Sequence, residues 1–109
     1  MVKKDKIALQ KILKEIEFLE TDTKGVTLET FISNERLKRS VSMTLINIGE
    51  LIHILSKEFK ESEKNIPFNE IQATRNIAAH GYHALNFIYI WNTVKIDIPE
   101  LKIKIEKLL

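Results

Sequence analysis

The sequence predicts an all-α fold, a single domain over residues 1–109 built as an antiparallel bundle of four or five helices. Apolar residues recur at steps of three and four along several stretches, which is the spacing of one helix face. The chain has only three glycines and two prolines, so its helices have few interruptions. Residues 87–91 could form a strand by residue type, but no second strand is predicted to pair with it, so a helix is favoured.

The composition narrows the classes of function. Hydrophobic residues make up 44% of the chain and charged residues 29%, which is typical of a globular domain. The net charge of +2 neither requires nor excludes an anionic partner such as RNA. Because there is no cysteine, disulfides, thiol nucleophiles and thiolate metal sites are excluded. No secretion signal and no run of ~20 apolar residues is visible, so we expect a cytoplasmic protein without membrane contact.

The first half of the chain contains the two longest predicted helices. One covers residues 5–20 and ends before a turn at residues 21–25. Thr27 is the expected N-cap of a short helix, and Ser33-Asn34 is the cap candidate for a long helix from about Asn34 to Phe59. Each of the two long predicted helices has one apolar face. The residues of these faces are Leu9, Ile12, Leu13, Ile16 and Leu19 in the first helix and Leu37, Val41, Leu45, Ile48, Ile52 and Leu55 in the second.

The second half begins with a polar stretch, residues 57–65, which predicts a linker. The next helix is predicted from Pro67 to near His80, because proline suits a first turn and Gly81 can serve as a left-handed C-terminal cap.

Two further helices complete the prediction. Residues 85–96 form one, and Asp97 is expected to cap the last, with Pro99 in its first turn. The inward face of the last helix is formed by Ile98, Leu101, Ile105 and Leu108.

The candidate chemistry lies between Arg75 and Tyr82. With about 100° per residue, Arg75 and Tyr82 share one helix face, whereas Asn76 and His80 share another, where the amide can orient the imidazole. Arg75 and His80 point about 140° apart. They can therefore act on one substrate only if the helix breaks near Gly81, or if a second copy of the segment faces the first across a two-fold axis.

The segment from Arg75 to Tyr82 resembles the Arg-x4-His-x-Tyr motif of HepT-like proteins, within the HEPN superfamily. Ile48-Gly49-Glu50 resembles the family's Ile-Gly-Glu, and Ile66-Pro67-Phe68 resembles its Ile-Pro-Trp, with phenylalanine in the place of tryptophan. Trp91-Asn92-Thr93-Val94, followed by Asp97-Ile98-Pro99-Glu100-Leu101, resembles its C-terminal signature. The resemblance spans about residues 5–109.

The resemblance implies a bundle that dimerises with its motif segments facing each other. It also implies a metal-independent endoribonuclease without a cofactor, acting as the toxin of a type VII toxin–antitoxin pair. The implied antitoxin is an MntA-like nucleotidyltransferase, which silences the toxin by adding AMP to the motif tyrosine. Arg75 and His80 match the catalytic pair, and Tyr82 matches the modified tyrosine. Asn76 and Glu50 match supporting positions.

The implied reaction is chemically consistent with these residues. RNA carries its own nucleophile, the 2′-hydroxyl, so cleavage needs proton transfer and charge stabilisation. His80, with an ordinary pKa of about 6.5, can exchange a proton near neutral pH. Arg75 can hold the phosphate as negative charge builds. The expected products are a 2′,3′-cyclic phosphate and a 5′-hydroxyl, and the absence of cysteine and of clustered carboxylates fits a site without metal.

Two alternatives remain open from the sequence. One is a non-catalytic helical subunit that binds a nucleotide or substrate for a minimal nucleotidyltransferase, which the weak net charge favours. The other is a plain dimerisation domain.

Overall fold

The structure, a computed structural model, describes residues 1–69, 71 and 81–109. Over these ranges the chain forms helices and turns and contains no strand, which confirms the predicted all-α bundle. The helices are α1 (Lys3–Thr23), α2 (Leu28–Ser33), α3 (Glu35–His53), α4 (Lys57–Ser62), α5 (Phe87–Asn92) and α6 (Ile98–Leu108), with a 3-10 turn at Tyr82–Ala84 and a π-helical stretch at Thr93–Asp97.

The centre of the fold is the antiparallel packing of α1 against α3. Each helix buries one apolar face, and the two faces meet in the core. Polar contacts fix the register of the pair. The Ser40 hydroxyl donates to the Asp22 carboxylate at 2.7 Å, and the Asn47 side-chain amide donates to Glu15 at 3.0 Å. The buried residues of the two faces include Leu9, Ile12, Ile16 and Leu19 in α1 and Val41, Leu45, Ile48 and Ile52 in α3, as predicted.

The last helix, α6, covers another side of α1. Its apolar face is buried as predicted, with Ile98, Leu101 and Ile105 in the core. At the edge of this contact, the Lys102 ammonium pairs with the Glu20 carboxylate at 2.9 Å. Both side chains are partly exposed, so this ion pair contributes little and the apolar face holds the helix in place.

The predicted N-caps in the first half are confirmed. The Thr27 hydroxyl accepts a hydrogen bond from the Thr30 amide and begins α2. The Asn34 side chain accepts from the Leu37 amide and begins α3.

Two predictions about the region after α3 are wrong. The long helix ends at His53 instead of Phe59, and the predicted linker at residues 57–65 contains α4. The cause is Ser56, which has extended backbone angles and accepts a hydrogen bond from the Phe59 amide at 3.2 Å. A serine cap therefore starts a new helix where the apolar spacing predicted that the old one would continue.

The last helix begins at Ile98 with Pro99 in its first turn, as predicted, but Asp97 makes no side-chain cap hydrogen bond. Asp97 has helical backbone angles, and the chain is helical without a break from Phe87 to Leu108. The Ile98 amide donates to the Thr93 carbonyl, a spacing of five residues that widens the helix just before Pro99. Because proline has no amide proton and crowds the preceding turn, the wider turn accommodates it without ending the helix.

The end of α3 is tied to the start of α1 by the buried carboxylate of Asp5. One oxygen accepts from the Ser56 amide at 2.8 Å and the other accepts from the Ser56 hydroxyl at 2.6 Å. Burial acts to raise the pKa of Asp5, but these hydrogen bonds, together with Lys4, outweigh it and lower the pKa.

We expect Asp5→Asn to lower the free energy of unfolding by about 1–3 kcal/mol at neutral pH, because one buried hydrogen bond is lost. Since the folded-state pKa of Asp5 is depressed, its contribution is present above the unfolded pKa of about 3.9 and is lost as the pH falls through the folded pKa. Urea unfolding of both proteins between neutral and acidic pH measures this. Asp22→Asn is the control, with a smaller loss because its hydrogen bond is exposed. Equal stability of wild type and Asp5→Asn at neutral pH would contradict the prediction.

Candidate functional site

The five predicted site residues divide into two groups. Arg75, Asn76 and His80 lie outside the described residues, together with most of the helix predicted from Pro67 to His80. The start of that helix is described: the first helical residue is Phe68, directly after Pro67, and the Phe68 side chain is buried. Glu50 and Tyr82 are both described.

A tight turn positions Tyr82. Gly81 has φ 107° and ψ 150°, and the 3-10 turn Tyr82–Ala84 follows it directly. The positive φ agrees with the prediction for Gly81, but the extended ψ makes a left-handed helical cap wrong. Gly81 instead stands at the N-cap position of the turn, where its carbonyl accepts from the Ala84 amide at 3.2 Å. Extended ψ is ordinary at such a position, and the positive φ favours glycine.

The Tyr82 ring lies between a cation and a second aromatic ring. The Arg39 guanidinium carbon is 4.4 Å from the ring centre, and the Phe87 ring centre is 5.3 Å away. Arg39 belongs to the first turns of α3, and Phe87 begins α5 after the Asn86 cap. Tyr82 therefore joins the two helices, and the cation–π contact contributes about 0.5–1 kcal/mol where the cation is exposed.

Tyr82 is the outer member of a row of four rings that we call the aromatic row: Tyr82, Phe87, Phe31 and Trp91. The Phe87 ring meets the Phe31 ring edge to face at 6.3 Å, and Phe31 stacks on Trp91 at 4.8 Å. Phe31 and Trp91 are buried. The row thus connects the 3-10 turn to the core, and such aromatic pairs add about 0.5–1.5 kcal/mol each beyond their burial.

Cations line this row along its length. Besides Arg39 over Tyr82, the Lys38 ammonium lies 4.7 Å from the centre of the Phe87 ring, and the Lys95 ammonium lies 4.7 Å from a ring centre of Trp91. Because ammonium and guanidinium groups are attracted to ring faces, three cations lie along the row, and two of them, Lys38 and Arg39, are also paired with the Glu35 carboxylate.

The Tyr82 hydroxyl is buried and poorly satisfied. Its oxygen has less than 1 Å² exposed, and among the described residues it makes no hydrogen bond of good geometry. Burial first, and the nearby Glu35 carboxylate second, raise the pKa of Tyr82 above its ordinary value of 10.0. The carboxylate therefore acts on the phenol without forming a well-aligned bond. A buried hydroxyl of this kind costs about 1–3 kcal/mol, and it is protonated at neutral pH.

Glu35 is the carboxylate next to Tyr82 and its neighbouring cations. Its carboxylate pairs with Lys38 at 3.1 Å and with Arg39 at 3.4 Å. The pairing with Lys38 does most to lower the pKa of Glu35, and the nearby Tyr82 hydroxyl and Arg39 lower it further. Glu35 is thus ionised at neutral pH and holds the Arg39 guanidinium by a charge pair while that cation covers the Tyr82 ring.

Glu50 lies in a different place. It is exposed on α3 and lines a shallow groove of about 400 Å³ between α1 and α3. Glu50 is eleven residues beyond Arg39, which is about 16 Å along the helix axis. Within one chain, the structure therefore does not bring Glu50 and Tyr82 together. The other residues that line the groove are Lys11, Lys14, Glu15, Phe18, Asn47 and Leu51.

Sequence reasoning missed Glu35 and Arg39. Both lie more than forty positions before Tyr82, so no local spacing connects them to the motif. On α3 alone they have the appearance of an ordinary surface ion pair four residues apart.

Two general features concern the described residues only. None of their helices is both long and apolar enough to cross a membrane. In the same part of the chain, no three histidine, aspartate or glutamate side chains are grouped so that they could hold a metal ion.

Comparison with known proteins identifies the family. The family model described as "Ribonuclease HepT-like" matches residues 12–108. A "Putative RNase" of Caldanaerobacter subterraneus subsp. tengcongensis is 37% identical over 101 residues, which cover 93% of this chain and 90% of that protein. The "Probable ribonuclease HepT" of Thermococcus cleftensis is 33% identical over 108 residues, which cover 99% of this chain and 98% of that protein. Among solved structures there is no significant match. Since the family match extends over nearly the whole bundle and includes the segment from Arg75 to Tyr82, this chain belongs to the HepT-like ribonuclease family.

Proposed function

We propose that this chain is a metal-independent endoribonuclease and the toxin of a two-gene toxin–antitoxin pair, acting on RNA in the cytoplasm. The family match over residues 12–108 carries the proposal, because it includes every residue of the motif. Two relatives that cover almost the whole chain are themselves named as ribonucleases. The fold supports the proposal, since a helical bundle with a cationic edge beside Tyr82 is able to attract a polyanion.

His80 is the proposed acid and base. In the first step it takes the proton of the RNA 2′-hydroxyl, whose oxygen attacks the adjacent phosphorus and forms the 2′,3′-cyclic phosphate. The 5′-oxygen of the next nucleotide leaves and receives a proton. Arg75 is proposed to hold the phosphate oxygens while negative charge accumulates, and Asn76 to orient the imidazole. Glu50 is a proposed supporting carboxylate.

A second copy of the chain completes the proposed site. On a helix, Arg75 and His80 point away from each other, so one segment supplies only part of a site. Two segments related by a two-fold axis supply two histidines, one as base and one as acid. The proposed homodimer is one way to bring Arg75 and His80 to the same phosphate, and a break of the helix near Gly81 is the other.

The proposed antitoxin is a nucleotidyltransferase that transfers AMP to the Tyr82 hydroxyl. The product carries a phosphodiester and a purine next to the proposed RNA site. It would compete with RNA by its negative charge and its volume. Because that hydroxyl is buried in the structure, the transfer requires the Tyr82 side chain to turn outward first.

We expect the purified protein to cleave RNA in excess EDTA, and we expect His80→Ala to lower the rate by about 10²- to 10⁴-fold, the usual contribution of general acid–base catalysis. Gel analysis of labelled RNA measures both. His53→Ala is the matched control, since it removes an exposed histidine at the end of α3, far from the motif in sequence.

Two outcomes would count against this prediction. Equal cleavage by wild type and His80→Ala would show that the activity belongs to a contaminant or to other residues. RNA or nucleotide binding with no cleavage by any variant would instead support the non-catalytic binding subunit.

We expect intact-mass analysis after incubation with ATP and the cognate nucleotidyltransferase to show the addition of one AMP. The addition should be absent in Tyr82→Phe, which keeps the ring and loses the nucleophilic hydroxyl. Tyr89→Phe is the control and should be modified as wild type is. Modification of Tyr82→Phe to the wild-type extent would place the acceptor elsewhere.

A further inference from the structure

We propose that Glu35 and Arg39 form a latch on α3 that keeps the Tyr82 hydroxyl out of reach of chemical modification until the Tyr82–Ala84 turn moves outward. Glu35 and Arg39 act as positioning residues, because they act on the modification through the Tyr82 side chain. The inference rests on the proposed function in one respect: transfer of AMP to Tyr82 gives the latch its purpose.

Transfer of AMP requires access to the Tyr82 hydroxyl. In AMP transfer, the Tyr82 oxygen forms a bond to the α-phosphorus of ATP, the bond to the bridging oxygen breaks, and pyrophosphate leaves while the phenol proton is released. For this in-line attack the α-phosphorus of ATP must come within bonding reach of the Tyr82 oxygen, with pyrophosphate leaving from the opposite side of the phosphorus. The Tyr82 oxygen has less than 1 Å² exposed, so the observed conformation cannot react.

Contacts on two sides hold the Tyr82 ring. Arg39 covers one face at 4.4 Å, and Phe87 packs against the ring at 5.3 Å. The Arg39 guanidinium is itself held by Glu35 at 3.4 Å. Arg39 and Phe87 lie on separate helices, so the ring is held from two sides, and the α3 side depends on the Glu35–Arg39 pair.

The turn is able to release the ring. Gly81 and the two residues after Tyr82 are exposed, so little packing opposes an outward movement of the turn. Among the described residues the buried hydroxyl has no well-aligned hydrogen bond, although the Glu35 carboxylate is near it, and on leaving it gains water as a partner. The contacts of the ring therefore determine the equilibrium between the buried and the outward position of the Tyr82 side chain.

Modification prevents return of the side chain to the buried position. Adenylylated Tyr82 carries a negative phosphodiester at the position of the former hydroxyl. In the buried conformation the Tyr82 oxygen has less than 1 Å² exposed, so there is no room there for a phosphodiester and a purine. The modified side chain therefore stays outside, and the latch has two stable positions.

The test uses a small reagent, N-acetylimidazole, which acetylates accessible phenols and needs no partner protein. The chain has two tyrosines, and Tyr89, with 38% of its surface exposed, is the internal reference. Peptide mass spectrometry gives the two acetylation rates in the same molecule. In wild type we expect Tyr82 to react more slowly than Tyr89 by about tenfold or more, as its hydroxyl is buried.

Arg39→Ala and Glu35→Gln should raise the Tyr82 rate relative to Tyr89 by about two- to fivefold, the equivalent of one exposed cation–π contact or charge pair of up to about 1 kcal/mol. Arg39→Lys keeps a cation and should react at a rate between wild type and Arg39→Ala. Arg36→Ala is the matched control, because it removes an exposed arginine from the same helix and should leave the ratio unchanged. A variant that unfolds would raise both rates together, so the ratio separates release of Tyr82 from loss of structure.

Equal acetylation rates of Tyr82 and Tyr89 in wild type would overturn the latch. The same Tyr82-to-Tyr89 rate ratio in Arg39→Ala and in Arg36→Ala would also overturn it. Neither result bears on RNA cleavage, so the latch can fail while the proposed function stands. In the reciprocal arm, the cognate nucleotidyltransferase and ATP should modify Arg39→Ala faster than Arg36→Ala. Protection of Tyr82 from acetylation with no transfer of AMP to any variant would support the latch and contradict the proposed modification.

Discussion

The antiparallel packing of α1 against α3 is the constraint on which the other features depend. Hydrogen bonds at both ends and in the middle fix its register, from Asp5 with Ser56 to Asp22 with Ser40. This register determines which side chains in the first turns of α3 face the aromatic row. There, α3 presents a carboxylate and cations to the aromatic row, whose inner rings are part of the core. The position of Tyr82 is therefore a consequence of how the two longest helices align.

A large part of the fold could be predicted because it depends on local patterns. The apolar spacing of α1 and α3 identified the residues that meet in the core, and the Thr27 and Asn34 side chains marked helix starts that the structure confirms. The errors came from competition between local signals. Ser56 begins a new helix within an apolar pattern that continues past it, and the chain passes through Asp97 and Pro99 by widening into a π turn.

The candidate site was predictable only in part, for a physical reason. A motif is read from residues that are close in sequence, and it pointed to Tyr82. The groups that determine the state of Tyr82 come from α3 and α5, and only the folded chain brings them to its ring. Neither helical periodicity nor residue type distinguishes Arg39 from the other exposed arginine of α3. Long-range packing determines which of them contacts the tyrosine.

The proposed reaction and its proposed control depend on residues that are near neighbours in the sequence. His80 and Tyr82 are two residues apart in sequence, so AMP on Tyr82 would be attached close along the chain to the proposed catalytic histidine. In the unmodified chain the Tyr82 hydroxyl has a defined buried position, and the Glu35–Arg39 pair is part of its surroundings. Under the proposed function, a group added to Tyr82 would act on RNA access through its charge and volume.

The most direct test of the central claim uses an RNA in which the nucleotide before the cleaved bond carries a 2′-O-methyl group. If the substrate supplies its own nucleophile, the unmodified RNA is cut to a 2′,3′-cyclic phosphate and a 5′-hydroxyl, and the methylated bond stays intact while neighbouring bonds are cut. Cleavage of the methylated bond at the unmodified rate, or products ending in a 3′-hydroxyl and a 5′-phosphate, would contradict this mechanism.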